Sequence, residues 1–444
     1  MKVKMLSRNP DVYLRETVRD IHKVPRNFDP SLHPFEVQRE YVKALNAVKL
    51  ERVFAKPFVG NLDGHSDGVS CMSKHPNRLS LLLSAAYDGE VKLWNLTSRK
   101  CIRAIRAHDG YIRGTTFLPN GEHFLSVGDD KTIKMWETDP ADADNVEPTD
   151  TVVSKTVVSG ISHHQRDPLF ATCGEICQIW EETRSEPIRT FKWGVDSLHD
   201  IAFNPVETHV LATCASDRSV ILYDSRVTGP VRRIKMKLRV NKICWNPMEA
   251  FIFTGASEDY NLYTFDVRQF TTPLYVHKDH ISAVIFVDYS PTGKEFVSGS
   301  YDKSIRIFDL HKSFSREIYH TKRMQRLTTV AWTMDNKYIL SGSDEMNIRI
   351  WKAQASEKLG VLKPREKLSL EYSETLKVKY ASHPQVSRIK RHRHVPKYIY
   401  NARSQLRMAR QRILRKEANR RRHSKRGAVP FASEKESSCI GIEM

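Results

Sequence analysis

Repeated carboxylates and imidazoles are the first groups in this sequence that could do chemistry. Asp88, Asp130, Asp217, Asp259 and Asp302 each stand six residues before an aromatic residue. His65, His108 and His280 stand 29, 28 and 28 residues before Trp94, Trp136 and Phe308. A carboxylate that orients an imidazole can build a general base. It can equally accept hydrogen bonds from a tight turn and hold the ring in a structural network. Cys173 and Cys177, with His163 and His164 upstream, are residue types that bind zinc. The two cysteines flank a turn between strands, however, and strands of this kind bury cysteine routinely, so no metal site is expected. No phosphate-cradling glycine loop, His-Glu-x-x-His, Gly-x-Ser-x-Gly or paired-carboxylate motif is found, so neither catalytic residues nor a cofactor are expected.

A third group has phosphate chemistry. Between positions 386 and 427 stand sixteen Lys or Arg against one acid, Glu417, out of a net charge of +19 for the 444 residues. Arg outnumbers Lys there by twelve to four. Arginine forks match phosphate oxygens and stack on bases, which favours structured RNA over plain charge neutralisation. Arg388, Lys390, Arg391, Arg393, Lys397, Arg403, Arg407, Arg410, Arg412, Arg415 and Lys416 are the candidate RNA or ribonucleoprotein contacts. Arg415, Lys416, Arg420, Arg421, Arg422, Lys425 and Arg426 make a candidate nuclear import signal, and the two uses are compatible.

The elements that must position these groups announce themselves by rhythm. Trp94, Trp136, Trp180, Tyr223, Phe265, Phe308 and Trp351 follow one another at intervals of 42, 44, 43, 42, 43 and 43 residues. Each closes a half-buried strand pattern: EVKLWN, TIKMWE, ICQIWE, VILYDS, NLYTFD, SIRIFD and NIRIWK. One period holds four short strands, and one such unit cannot bury its own apolar faces. Seven must therefore pack on each other as propeller blades. The repeat signature resembles that of WD repeats, and the expected fold is all-β, a seven-bladed WD-repeat β-propeller with an extended N-terminal arm and a basic α-helical C-terminal extension. The third blade, with Gly174 at the Asp position, and the seventh, with Glu345, depart from the pattern. The acidic insert ETDPADADNVEPTD before the third blade reads as a mobile surface loop.

The expected organisation is 1–62 for the arm, a short helix over 34–49 and a strand that closes the ring; 63–362 for the propeller; and 363–444 for a basic helical domain with a disordered end. From Pro396 onward, Ile399, Ala402, Leu406, Ala409 and Ile413 fall at steps of 3, 4, 3 and 4, a narrow apolar stripe surrounded by arginine. The stripe lacks Trp or Phe anchors, so a membrane partner is not expected. Seven cysteines without a CxxC pair fit reduced thiols. With no long apolar run and no signal-peptide core, a soluble intracellular chain is expected.

A propeller of this kind with a MKVKMLSRNP opening and a KRHRHVPKYIYNARSQLRMARQRILRKEANRRRHSKR tail resembles the WD-repeat and Sof-domain family. The tail is the specific part of the likeness. The resemblance implies that the repeated Asp and His form a buried structural network. It also implies a nucleolar scaffold of the small-subunit processome, associated with pre-ribosomal RNA and the box C/D guide ribonucleoprotein (snoRNP), needed for 18S RNA and 40S subunit production and cutting no RNA itself. A second resemblance rests on two strand ends, Tyr223-Asp224-Ser225-Arg226 and Phe265-Asp266-Val267-Arg268. WD-repeat substrate receptors of cullin-RING ubiquitin ligases carry such a doubled box. That likeness implies adaptor binding through Asp224, Arg226, Asp266 and Arg268, as an alternative or second function.

Overall fold

In the computed structural model, which describes residues 35–139, 147–192 and 197–443, every one of the seven aromatics lies on the third strand of its blade and is at most 2% exposed. The arm over 1–34 and the centre of the acidic insert lie outside the described residues. Indole nitrogens of Trp94, Trp136 and Trp351 donate to the hydroxyls of Ser84, Ser126 and Ser341, each ten residues earlier on the second strand, and Trp180 donates to Thr172. A large ring thus fills the space between blades while its one polar atom is satisfied.

The sheets are antiparallel and built from consecutive strands: residues 69–106, 112–153, 160–191, 198–236, 240–278 and 284–319 make blades one to six. The seventh is composite. Its first three strands lie within 327–352, and its outer strand is Phe58–Leu62, paired antiparallel with Ile348–Lys352. Ring closure by a strand from the far end of the chain removes two vulnerable sheet edges.

The turn between second and third strands explains the aspartates. In all five blades that carry one, its Oδ1 accepts the backbone N–H two residues on: Glu90, Thr132, Ser219, Asn261 and Ser304, at 2.9–3.1 Å. The intervening residue has a left-handed backbone, with φ of 87° at Gly89 and 62–71° at Lys131, Arg218, Tyr260 and Lys303. Side chains other than glycine adopt that conformation reluctantly, and the capping carboxylate helps hold it. At Gly89 the choice is forced, because an added Cβ would lie 2.1 Å from the His108 carbonyl oxygen.

Among the described residues, a second compact unit comprises residues 35–54 with 358–391. It holds α1 (Glu36–Val53), α2 (Pro364–Lys379) and α3 (Pro384–Arg391). Helix α1 runs four residues beyond the expected short helix. Pro364 opens α2 at a position where its missing N–H costs nothing, and Lys377 and Lys379 close it against the helix dipole. The unit is tied by Lys377–Glu51 at 2.9 Å, Lys379–Glu40 at 2.6 Å and the Tyr41 hydroxyl donating to Gln385 at 2.6 Å.

Where the sequence suggests a disordered end, the described residues up to Glu443 form further elements with the propeller. After α4 (Lys397–His423) comes α5 (Glu434–Ser438), opened by a capping box between Ser433 and Glu436. The strand Cys439–Glu443 then pairs antiparallel with Pro230–Met236, giving the fourth blade a fifth strand. The cue was the Ser-x-x-Glu spacing at 433–436.

Candidate ribonucleoprotein interface and adaptor face

The groups that could have formed an acid–base pair are wired into the blades. His108 bonds the Asp130 carboxylate at 2.8 Å through Nδ1 and the Ser126 hydroxyl at 2.8 Å through Nε2. His280 repeats this with Asp302 at 2.9 Å and Ser298 at 2.7 Å. Both rings are buried, and burial holds both below the usual imidazole range. The network is not general. His65 reaches Ser84 at 2.6 Å while its Nδ1 is buried without a partner. Asp217 pairs with Arg233, and Asp259 takes the Tyr263 hydroxyl. The carboxylate therefore caps its turn in five blades and orients a histidine in two.

Cys173 and Cys177 face one another across adjacent strands, fully buried, with thiols pushed well up by burial. His163 bonds Glu182 at 2.8 Å, and His164 accepts the N–H groups of Arg166 and Asp167. Among the described residues no cluster of three or more His, Cys, Asp or Glu is placed to hold a metal ion. No helix among them is long and apolar enough to cross a membrane.

Helix α4 lies on the propeller, held at the turns between second and third strands and at Asp279, just before His280. The Tyr398 hydroxyl donates to the Asp302 carbonyl at 3.0 Å, Arg403 pairs with Asp279 at 2.7 Å, and Arg410 donates to Asn261 at 3.2 Å. Just before the helix, Arg393 donates to the Arg316 carbonyl and pairs with Glu317 at 3.5 Å. The Arg403 anchor completes a buried charge cluster. Arg306, fully buried, lies 3.4 Å from Asp279 and 3.9 Å from Asp302. Burial alone would raise the Asp302 carboxyl, but the His280 ring, Arg306 and the Ser304 hydroxyl outweigh it and hold it at about 2. With His280 neutral, two carboxylates face one guanidinium, and Arg403 supplies the missing charge.

This docking divides the candidate RNA contacts into two sets. Arg393, Arg403 and Arg410 face protein, whereas Arg407, Arg412, Arg415 and Lys416 are exposed on α4, as is Lys397 at its start. Arg388, Lys390 and Arg391 are exposed on α3 in the helical unit. Of the import candidates, Arg420, Arg422, Lys425 and Arg426 are exposed, and Arg421 lies 4.7 Å over the Phe431 ring. The apolar stripe is docked only in its first half: Ile399 is fully buried, while Ile413 is 56% exposed.

The two Asp-x-Arg endings are superimposable in chemistry. In each, the arginine N–H caps the aspartate at 2.9 Å while its side chain folds back in a bidentate pair at 3.0–3.1 Å (Arg226–Asp224) and 2.9–3.1 Å (Arg268–Asp266). Both arginine side chains remain 66% exposed. Burial raises the Asp224 carboxyl and the Arg226 bond overrides it; at Asp266 the Arg268 bond is the main cause of a lowered pKa. The blades are joined here by Arg232, which donates to the Val267 and Arg268 carbonyls at 3.2 and 3.4 Å. Asn261, under α4, begins the strand that Asp266 ends, so the two faces are a strand length apart, roughly 17 Å.

Comparison with known proteins agrees with this architecture. The WD domain, G-beta repeat, matches residues 56–95, 99–137, 185–224, 271–309 and 316–352, and the Sof1-like domain matches 353–439. Propeller and extension together define a WD-repeat protein with a Sof1-like domain. The chain is 58% identical over 443 residues to the DDB1- and CUL4-associated factor 13 of Xenopus tropicalis and to that of Homo sapiens, covering 100% of each chain. It is 46% identical to the Dictyostelium discoideum protein of that name over 94% of this chain and 95% of the relative. It belongs to the DDB1- and CUL4-associated factor 13 family.

Proposed function

We propose that this protein is a non-catalytic nucleolar scaffold of the small-subunit processome, required for pre-ribosomal RNA processing and 18S RNA production. The observation that carries the reading is the division of labour on α4. Three cations anchor the extension to a rigid disc, and Arg412, Arg415 and Lys416 on α4 are left to solvent for phosphate. The Sof1-like match supports the same assignment, with box C/D guide ribonucleoprotein and pre-ribosomal RNA as partners. Charge reversal of Arg412, Arg415 and Lys416 to Glu tests it. Such a variant should fold and lose co-sedimentation with pre-ribosomal particles, and full retention would defeat the assignment.

A second role, substrate receptor of a cullin-RING ligase, is favoured by the paired Asp-x-Arg turns and by the relatives' name, which couples them to DDB1 and CUL4. In this role Arg226 and Arg268 contact the adaptor from the face opposite α4. Both roles fit one molecule because the surfaces do not overlap. Arg226→Ala with Arg268→Ala should abolish adaptor capture and leave nucleolar location intact.

A further inference from the structure

Between α4, the segment leading to α5 and the turns of blades five and six lies a cleft of about 1260 Å³. It exceeds the roughly 300–1,000 Å³ of ordinary small-ligand pockets. Three aromatic side chains from three different elements line it and remain open to solvent: Phe314 from blade six, Tyr400 from α4 and Phe431 from the tail, at 60%, 67% and 72% exposure. Large rings exposed to that degree around one cavity leave most of their apolar surface to water. Phe431 is already stacked on one side by Arg421.

The charges around the rings are unbalanced in one direction. Most lining carboxylates are spent: Glu434 on Lys278, Asp279 on Arg403 and Arg306, and Asp259 on the Tyr263 hydroxyl. Lys237, Arg407 and Arg420 line the cleft outside any ion pair among the described residues, against Glu417. Unpaired cations interleaved with exposed rings suit a ligand that is anionic along its length and flat at intervals. An acidic peptide satisfies the cations but gives the rings nothing to stack on. Unpaired nucleotides satisfy both, since every base has a π-face and every linkage a phosphate.

We propose that this cleft binds single-stranded RNA, with Phe314, Tyr400 and Phe431 stacking on bases and Lys237, Arg407 and Arg420 on phosphates. The inference rests on the RNA reading above and deepens it, since it places an unpaired strand between helix and propeller, beyond the outward face of α4.

The test is fluorescence anisotropy of the full-length protein with a labelled oligouridine 12-mer and a duplex of equal length. Tyr400→Ala and Phe431→Ala should each weaken single-strand binding about tenfold, with Phe314→Ala in the same range, and leave duplex binding within twofold. All three rings are exposed, so thermal unfolding should be unchanged. Single-strand affinity retained within twofold by the triple variant, with duplex and oligouridine still bound, would overturn the cleft while the RNA reading stands. Binding of neither RNA by the unaltered protein would overturn both. Displacement of oligouridine by polyglutamate at equal charge concentration would overturn the single-strand assignment in favour of an acidic peptide.

Discussion

The five turn aspartates make a graded experiment, because they share one backbone role and differ in what else they hold. Capping the turn through the N–H two residues on is worth about 1 kcal/mol. Asp88 does little more than this, with Glu90 N–H at 3.0 Å, so Asp88→Ala should cost about 1 kcal/mol. Asp130 adds the Thr132 hydroxyl and His108, which takes the expected loss to about 2–3 kcal/mol. Asp302 adds the Ser304 hydroxyl at 2.6 Å, His280 at 2.9 Å and the charge of fully buried Arg306. Removing it leaves Asp279 alone to balance Arg306 and Arg403, an unbalanced buried charge for which about 3–5 kcal/mol is the usual cost. Differential scanning calorimetry should rank the three alanine variants in that order. At roughly 2 °C or less per kcal/mol for a chain of this size, Asp302→Ala should melt several degrees below Asp88→Ala. Asparagine separates cap from charge: Asp88→Asn should be close to neutral, whereas Asp302→Asn should retain most of the alanine penalty. Equal shifts for Asp88→Ala and Asp302→Ala would refute the claim that the attached network, and not the shared turn, sets each residue's worth.

Acid should destabilise the protein in two stages. His65 and His277 have imidazoles depressed by burial to about 4, so protons bind the unfolded chain first, and stability present above pH 6.5 is lost as pH falls towards 4. Asp302, held at about 2 against 3.8 unfolded, adds a further loss confined to pH below 3.8. Melting temperatures across pH 7 to 3 check this, and a flat profile between 6.5 and 4 would contradict it. Arg403→Ala should loosen α4 by about 1–3 kcal/mol without melting the blades, read as faster limited proteolysis within 397–423 at an unchanged main transition. The triple reversal at Arg412, Arg415 and Lys416 should also flatten the salt dependence of RNA affinity, reducing the log–log slope by at least about 2. An unchanged slope would mean those side chains touch no phosphate.

The propeller was legible because its aromatics must fill the same inter-blade space seven times, and a steric demand that repeats leaves a period in the sequence. Even the third blade, without its Asp and His, keeps Trp180 and forms its sheet. A ring-closing strand is legible only as strand chemistry somewhere in ERVFAKPFVGNLDGH, ahead of the first blade, and it is the structure that puts it at Phe58–Leu62. The division of the arginines was not legible. Arg403, Leu406 and Arg410 share the helix face that meets the propeller, and a sequence shows that such a face exists without showing which protein covers it. The ordered end escaped for another reason: a five-residue helix and a five-residue strand are too short for any periodicity, and only the capping box at Ser433 and Glu436 marked them. Asp279 directly precedes His280 in the sequence, and its bond to Arg403 crosses more than a hundred residues, a distance no local pattern reports.

The pairing of Phe58–Leu62 with Ile348–Lys352 has a consequence for the protein's birth. The early strand leaves the ribosome some 290 positions before its partner, and at about 5–20 residues per second that is roughly 15–60 s of waiting with an open edge. The helical unit waits too, since α1 comes from the beginning of the chain and α2 and α3 from beyond the last blade. Neither unit can be completed during synthesis of the blades between. A nascent chain stopped after the sixth blade would therefore lack both closures at once, leaving a prematurely terminated product as a substrate for chaperones and proteases and not as a smaller working scaffold.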